Sequence, residues 1–347
     1  MFEQEFEAVV AMARKKTDLL NSRPWAYLLA SILAGIFIGF GVILSNTAAT
    51  LTAEFGLSRL TSGLTFAGGL SLVVFAGAEL FTGNHFVITS GILYKRVGLA
   101  EGVKLLVVCL IGNWIGSVVL AVFFAATGLA EGAVAETIAA SAQTKIALPV
   151  VPLITRAVLC NILVCLAVWC TYRLKSETAK LIMIFWCLFI FVTAGFEHSI
   201  ANMYFIPVGI LVKDFDPDWV AANASGMDLS GLTWGNFLID NLLPVTLGNI
   251  IGGAVLVAAC AALAASSLGP AGRGAAYDRS MTDHDWRGIG SFVSSNSAHA
   301  IVLHAPHRTM SKCLYMYLTG VARHDVDYIA ERDILVRRAV SQVVHTP

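Results

Sequence analysis

Charge is what this sequence has least of. Of 347 residues only 13% are Asp, Glu, Lys or Arg, about half the share found in soluble proteins. A surface of this size cannot be kept in water on so few charges, and 57% of the residues are hydrophobic. A soluble enzyme or binding domain is excluded. The 23 basic side chains balance 23 acidic ones, so no basic excess exists to hold a nucleic acid. Seven cysteines are present without a single Cys-x-x-Cys pair, which removes the usual zinc and redox spacings. Six of them (Cys109, Cys160, Cys165, Cys170, Cys187 and Cys260) lie in apolar segments, where a thiol serves as a small hydrophobe. No metal and no cofactor is expected. The first residues also lack the apolar core of a secretory signal: residues 1–24 are charged and amphipathic, with Phe2, Phe6, Val9, Val10 and Met12 between the charges.

What is present is a set of apolar runs near the ~20-residue spanning length. They predict six transmembrane helices over 25–51, 61–94, 103–129, 156–169, 181–211 and 234–268. The fold class expected is therefore an all-α integral membrane protein. The second and fifth runs exceed one straight crossing, and both carry polar residues in the middle, at 79–85 and 197–202. Loose backbone at membrane depth is tolerated where it faces protein or a water-filled cavity, so these two helices are expected to be broken. Arg14, Lys15, Lys16 and Arg23, then Lys95, Arg96 and Lys104, then Arg173, Lys175 and Lys180 fall on one side of the spans. That bias places both termini in the cytoplasm.

The chain also repeats itself. Gly77-Ala-Glu79-x4-Asn84 in the second run matches Gly195-Phe-Glu197-x4-Asn202 in the fifth, and Gly112-Asn113-x2-Gly116 in the third matches Gly248-Asn249-x2-Gly252 in the sixth. Each half holds three spans, an odd number, so the second half enters from the opposite side. Broken helices at matching positions of an inverted repeat point to a transport site. Three domains follow: an amphipathic cytoplasmic helix (1–24), a six-span transport domain (25–268), and a polar cytoplasmic tail (269–347), partly disordered, that carries six of the eight histidines.

His198 stands in the fifth-span break. Ionisable groups at that depth are costly and mark functional sites; the plainer role is a histidine bonded into the bundle. Imidazole titrates near neutrality and can offer a hydrogen bond or a proton to a passing anion. Glu79 and Glu197 would repel an anion, which favours a structural role, binding loop N–H groups or orienting His198. Thr82 and Asn84 are neutral donors from the first break. Phe66, Leu70, Phe81 and Phe191 are either ordinary packing or apolar constrictions that gate by dewetting. Lys145 is either a topology charge or an attractor of anions into an outer vestibule. Asn161, Asn113 and Asn249 are polar residues inside spans, suited to interhelical bonding.

These residues resemble the formate/nitrite transporter family. The resemblance rests on Glu79-Leu80-Phe81-Thr82, on Gly-Phe-Glu-His-x-Ile-Ala-Asn-Met at 195–203, and on Asp-Asn-Leu-x-Pro-Val-Thr-x-Gly-Asn at 240–249. It extends from the N-terminal helix to about residue 268. It implies an aquaporin-like protomer, a homopentamer in the bilayer of the cell (inner) membrane, and one pore per protomer. It further implies His198 as the central pore histidine with Thr82 as its partner. Phe66, Leu70, Phe81 and Phe191 match the constriction residues, and Lys145, Asn161 and Asn249, beside Glu197, the polar residues of the vestibule and site. The segment 204–215 looks like the formate branch. A channel or transporter for formate and related small monovalent anions, dependent on pH, is the function implied. A nitrite or hydrosulfide transporter of the same fold, and a neutral-solute pore, are the alternatives. A mid-membrane histidine argues against the neutral pore. An enzyme using Glu197 and His198 would need a nucleophile, nucleotide loop or metal cluster that the motifs do not supply.

Overall fold

The computed structural model describes residues 2–215 and 228–266, and their regular structure is helical throughout. The tail expected at 269–347 and the end of the sixth run lie outside the described residues. The first helix, α1, spans Glu3–Ser22 and buries Phe6, Val9, Val10, Ala13 and Leu20. That apolar stripe is covered by the chain's own helices, chiefly α4 (Phe81–Leu93) and α2 (Pro24–Leu51). Pro24 opens α2 at a position where its missing N–H is no loss. At 28 residues, α2 is about 42 Å long, enough to cross the hydrocarbon layer. It is followed by α3 (Ser58–Phe75), α4, α5 (Leu99–Ala125), α6 (Gly132–Ile146), α7 (Val150–Arg173), α8 (Glu177–Ala194) and α9 (Ser199–Phe215). A turn of π-helix at Phe237–Leu242 leads into α10 (Leu243–Ser266).

Among the described residues, five helical segments are long and apolar enough to cross a membrane: α2, α5, α7, α8 and the stretch Trp234–Val257. Large apolar side chains stay uncovered in rows along them, such as Trp25, Leu29, Phe40 and Leu44 on α2 and Val103, Val107 and Ile111 on α5. Spaced at three to four residues, they form stripes that suit lipid or a neighbouring subunit. Between α3 and α4, and again between α8 and α9, the chain leaves the helix for a few residues. Both departures are made the same way. Gly77 (φ 74°) and Gly195 (φ 80°) take the left-handed conformation that a side chain disfavours. The next N–H, of Ala78 or Phe196, then reaches five residues back to Val73 O or Phe191 O (2.9 Å each), a Schellman ending.

The halves pack alike. α5 lies on α2, and α10 lies on α7. Each contact is made through two glycines, Gly112 and Gly116 against Leu28–Ile32, and Gly248 and Gly252 against Ile154–Val158. A Cβ on Gly116 would collide with the Ile32 carbonyl, and one on Gly252 with that of Val158. The helix α6 falls where sequence periodicity suggested only a connection. It buries Ala135, Ile138, Ala139, Ala142 and Ile146, a helical stripe that is largely alanine and is interspersed with Glu136, Thr137, Ser141, Gln143 and Thr144, which hold its mean hydropathy down.

Backbone against backbone leaves no soft atom to yield. Gly116→Ala and Gly252→Ala are each expected to destabilise the fold by at least the ~1–3 kcal/mol typical of overpacking. Gly68→Ala, where a Cβ meets nothing within 4 Å, is the control and should melt like the wild type. Thermal melts of the detergent-solubilised protein check this, and equal melting of all three variants would refute it.

Candidate functional site

Each break exposes backbone that lipid cannot satisfy, and one asparagine closes each. From α5, Asn113 accepts the Phe81 N–H (2.9 Å) and donates to Glu79 O (2.9 Å) and Ser31 O (2.7 Å). From α10, Asn249 accepts the Ser199 N–H (2.9 Å) and donates to Glu197 O (3.0 Å) and Ala157 O (2.8 Å). The two clamps match bond for bond. The Glu79 N–H further donates to Ala30 O on α2 (3.1 Å), and the Glu197 N–H to Arg156 O on α7 (3.4 Å).

The glutamates are bound as well. Glu79 accepts Lys16 Nζ of α1 on both oxygens (2.6 Å) and Asn84 Nδ2 (2.8 Å). Glu197 accepts Lys145 Nζ of α6 on both oxygens (3.0 Å) and Asn202 Nδ2 (2.7 Å). Lys145 also lies 5.0 Å above the Phe205 ring. So Lys145, read as an attractor of anions, is already paired. Asn241, in the π-helical turn, holds both members of this group: it accepts from Asn202 (2.8 Å) and donates to Lys145 O (2.9 Å). A π-turn is a recurrent mark of functional sites. The sequence motif at 240–249 contained Asn241, but nothing in its type singled it out.

The repeat diverges one residue after the glutamate, with Leu80 in the first half and His198 in the second. His198 Nδ1 accepts the Ala201 backbone N–H (3.0 Å). That nitrogen therefore carries no proton, and the ring's hydrogen sits on Nε2, 2.9 Å from Thr82 Oγ1. The bond runs from imidazole to hydroxyl and leaves the hydroxyl hydrogen for a third group. A second proton has no place on Nδ1 while the Ala201 bond stands.

Two cavities meet at His198. The wider, about 540 Å³, opens at the α6 end of α2. Its wall includes Asn46, Arg59, Lys145, Arg156, Glu197 and Phe205. The narrower, about 10 Å³, is lined by Ile38, Leu70, Leu80, Val164 and Leu188, and holds roughly one water. Phe66, Phe191 and His198 line both and form the partition. Phe66 meets Phe191 edge-on at 5.6 Å, and Phe191 stacks on His198 at 5.9 Å.

The sequence-derived residues thus separate into groups. Phe66, Leu70, Phe191 and His198 come together at the cavities, with Lys145 and Glu197 in the wider one; Thr82 lines neither and joins the group through its bond to His198. Phe81 is buried but lines neither cavity; its ring edges onto His85 at 4.4 Å. Asn161 and Asn249 also line neither. Asn161 donates to Asn249 O (2.6 Å) from behind the second break. Sequence reasoning missed Leu80, the repeat mate of His198; Ile38, Val164 and Leu188, which look like any span residue; and Arg59 and Arg156.

An apolar helical bundle with two clamped breaks, meeting at a histidine between two cavities, defines a membrane channel or transporter for a small solute. The family model for the formate/nitrite transporter matches residues 3–263, and the chain belongs to that family. The formate channel FocA of Haemophilus influenzae is 35% identical over 244 residues, 68% of this chain and 86% of that protein. A probable formate transporter of Methanothermobacter thermautotrophicus is 40% identical over 249 residues, 66% of this chain and 84% of that protein. Among solved structures, a pentameric formate channel with formate bound superposes with a TM-score of 0.62 at 34% identity, covering 69% of this chain and 96% of that one.

Removing one member of a buried ion pair leaves the other charge stranded. Lys145→Ala is therefore expected to cost about 3–5 kcal/mol, and adding Glu197→Gln should recover most of it. Melting temperatures of the single and double variants test this. A single variant as stable as the wild type would show that Lys145 is free to serve incoming anions instead.

Proposed function

We propose that this protein is a formate channel, a homopentamer with one pore per protomer, which moves formate and similar small monovalent anions. Each protomer crosses the membrane six times, counting α3–α4 and α8–α9 as two broken spans. The halves are related as an inverted, aquaporin-like repeat, and both termini and α1 lie on the cytoplasmic side. The relatives named for formate support the substrate, and the pentameric neighbour supports the assembly. The lysine- and arginine-rich connections support the orientation.

One observation carries the reading: His198 stands in the partition among apolar side chains, and its Nε2–H, bonded at rest to the buried Thr82 hydroxyl, is a neutral donor. A formate ion entering the narrow chamber loses its water, and an unpaired charge in apolar surroundings costs several kcal/mol or more. The Nε2–H, turned from Thr82 to the ion, replaces part of that hydration without introducing a fixed charge that would trap the ion. Proton-coupled passage, in which the anion crosses as formic acid, needs an imidazolium. That form requires His198 to release the Ala201 N–H first. Phe66 and Phe191 keep the partition dry; Phe81, Asn161 and Asn249 act through the shape and hold of the breaks.

Uptake of formate, nitrite and hydrosulfide into proteoliposomes at several pH values tests the function. Formate is expected to move fastest. His198→Asn keeps a donor without a titrating ring, so it should carry formate while losing the pH dependence. His198→Phe should reduce uptake at least about tenfold, the scale of one lost hydrogen bond to a charged group. An asparagine variant with the wild-type pH profile would limit His198 to hydrogen bonding. Faster nitrite or hydrosulfide uptake would overturn the substrate assignment.

A further inference from the structure

The wide cavity holds more positive charge than a monovalent anion needs. Arg59 reaches over the second break from α3: its Nη2 donates to the carbonyl of Ala194, the last residue of α8 (3.1 Å), and lies where a Cβ on Gly195 would stand. Arg156 comes to the same break from α7, where its own carbonyl accepts the Glu197 N–H. Both arginines line the cavity together with Lys145. The cavity's one carboxylate, Glu197, is taken up by Lys145 and Asn202. Among the described residues neither arginine has an acidic partner. In the same wall Asn46 is almost fully buried, and its amide nitrogen has no partner.

Two guanidinium groups present paired N–H forks that suit planar oxyanions, and in a low-dielectric cleft their fields add. At about 540 Å³ the cavity falls among small-molecule sites. The chamber beyond the partition, about 10 Å³, holds roughly one water, so a solute must widen it to pass, and a dicarboxylate must widen it further than formate does. Moving a second charge into apolar surroundings adds a further desolvation cost. A compact dianion is thus drawn to the first cavity and barred from the second.

We propose that the wide cavity is a binding site for compact dianionic oxyanions of the size of a three-carbon dicarboxylate, which Arg59 and Arg156 hold and which thereby obstruct permeation. This rests on the cavity being the mouth of the anion path. The probe is malonate, at constant ionic strength so that screening is unchanged. Calorimetric titration of the purified full-length protein is expected to show saturable binding. Malonate should slow formate uptake competitively, while an equal ionic strength of sodium chloride should not. Arg59→Gln and Arg156→Gln should each weaken malonate binding by about tenfold, the scale of one charge-assisted hydrogen bond, and the double variant should abolish it. Arg59→Lys and Arg156→Lys, which keep charge but lose the fork, should bind with intermediate affinity. The proposal is overturned if the wild type binds no malonate, if chloride inhibits equally, or if the double variant binds like the wild type. The wild-type titration alone decides if the glutamine variants do not assemble. Because binding is read without transport, malonate binding in a protein that takes up no formate refutes the functional reading and leaves this inference standing.

Discussion

A backbone that leaves the helix inside a membrane must find every hydrogen-bond partner within the protein, because lipid supplies none. The rest of this structure depends on how that is done. One asparagine per half binds the N–H and C=O on either side of the break and ties both to a neighbouring helix. To reach that far, α5 must lie almost against α2, and α10 against α7, which the glycine pairs permit. The paired glutamates follow from the same need. Each is a buried anion neutralised by a lysine brought from a helix outside the repeat, α1 in one half and α6 in the other. The breaks are therefore rigid, braced segments, and side chains projecting from them are held in place.

That rigidity is what allows His198 to act as a directed donor. Its ring is fixed on one side by the Ala201 N–H and on the other by Thr82, and its face rests on Phe191. Thr82 comes from the opposite half of the repeat. The site thus forms only where the two breaks touch, and neither half contains it alone.

Much of this was legible in the sequence because the constraints are local in type. Apolar runs marked the long helices; a glycine, a glutamate and an asparagine at matched spacing marked each departure from the helix; a histidine at mid-run marked the point where two cavities meet. What remained hidden depends on geometry between distant segments. The lysines of the ion pairs lie 63 and 52 residues from their glutamates, and no spacing announces them. Lys145 read as a free charge for that reason. Asn161 and Asn249, which their residue type suited to interhelical bonding and the family resemblance assigned to the vestibule and site, bond behind the second break; the direction in which a span's polar side chain points is absent from the sequence. The helix α6 was missed because its buried face is largely alanine. Leu80 was missed for the opposite reason: it is informative only by comparison with His198, across a repeat that shares the glycine, glutamate and asparagine around it.

The Leu80–His198 difference has a thermodynamic consequence. The scaffold is duplicated but the donor is not, so the energy profile met by an ion differs when it is approached from the two mouths. In a passive pore, microscopic reversibility forbids such a profile from choosing a direction: at equal electrochemical potential the two one-way fluxes cancel whatever the barrier's shape. The asymmetry governs how readily each entrance saturates and therefore how strongly the current rectifies under load. In such a pore net direction belongs to the gradient across the membrane, and the same path would serve export and import alike as that gradient reverses.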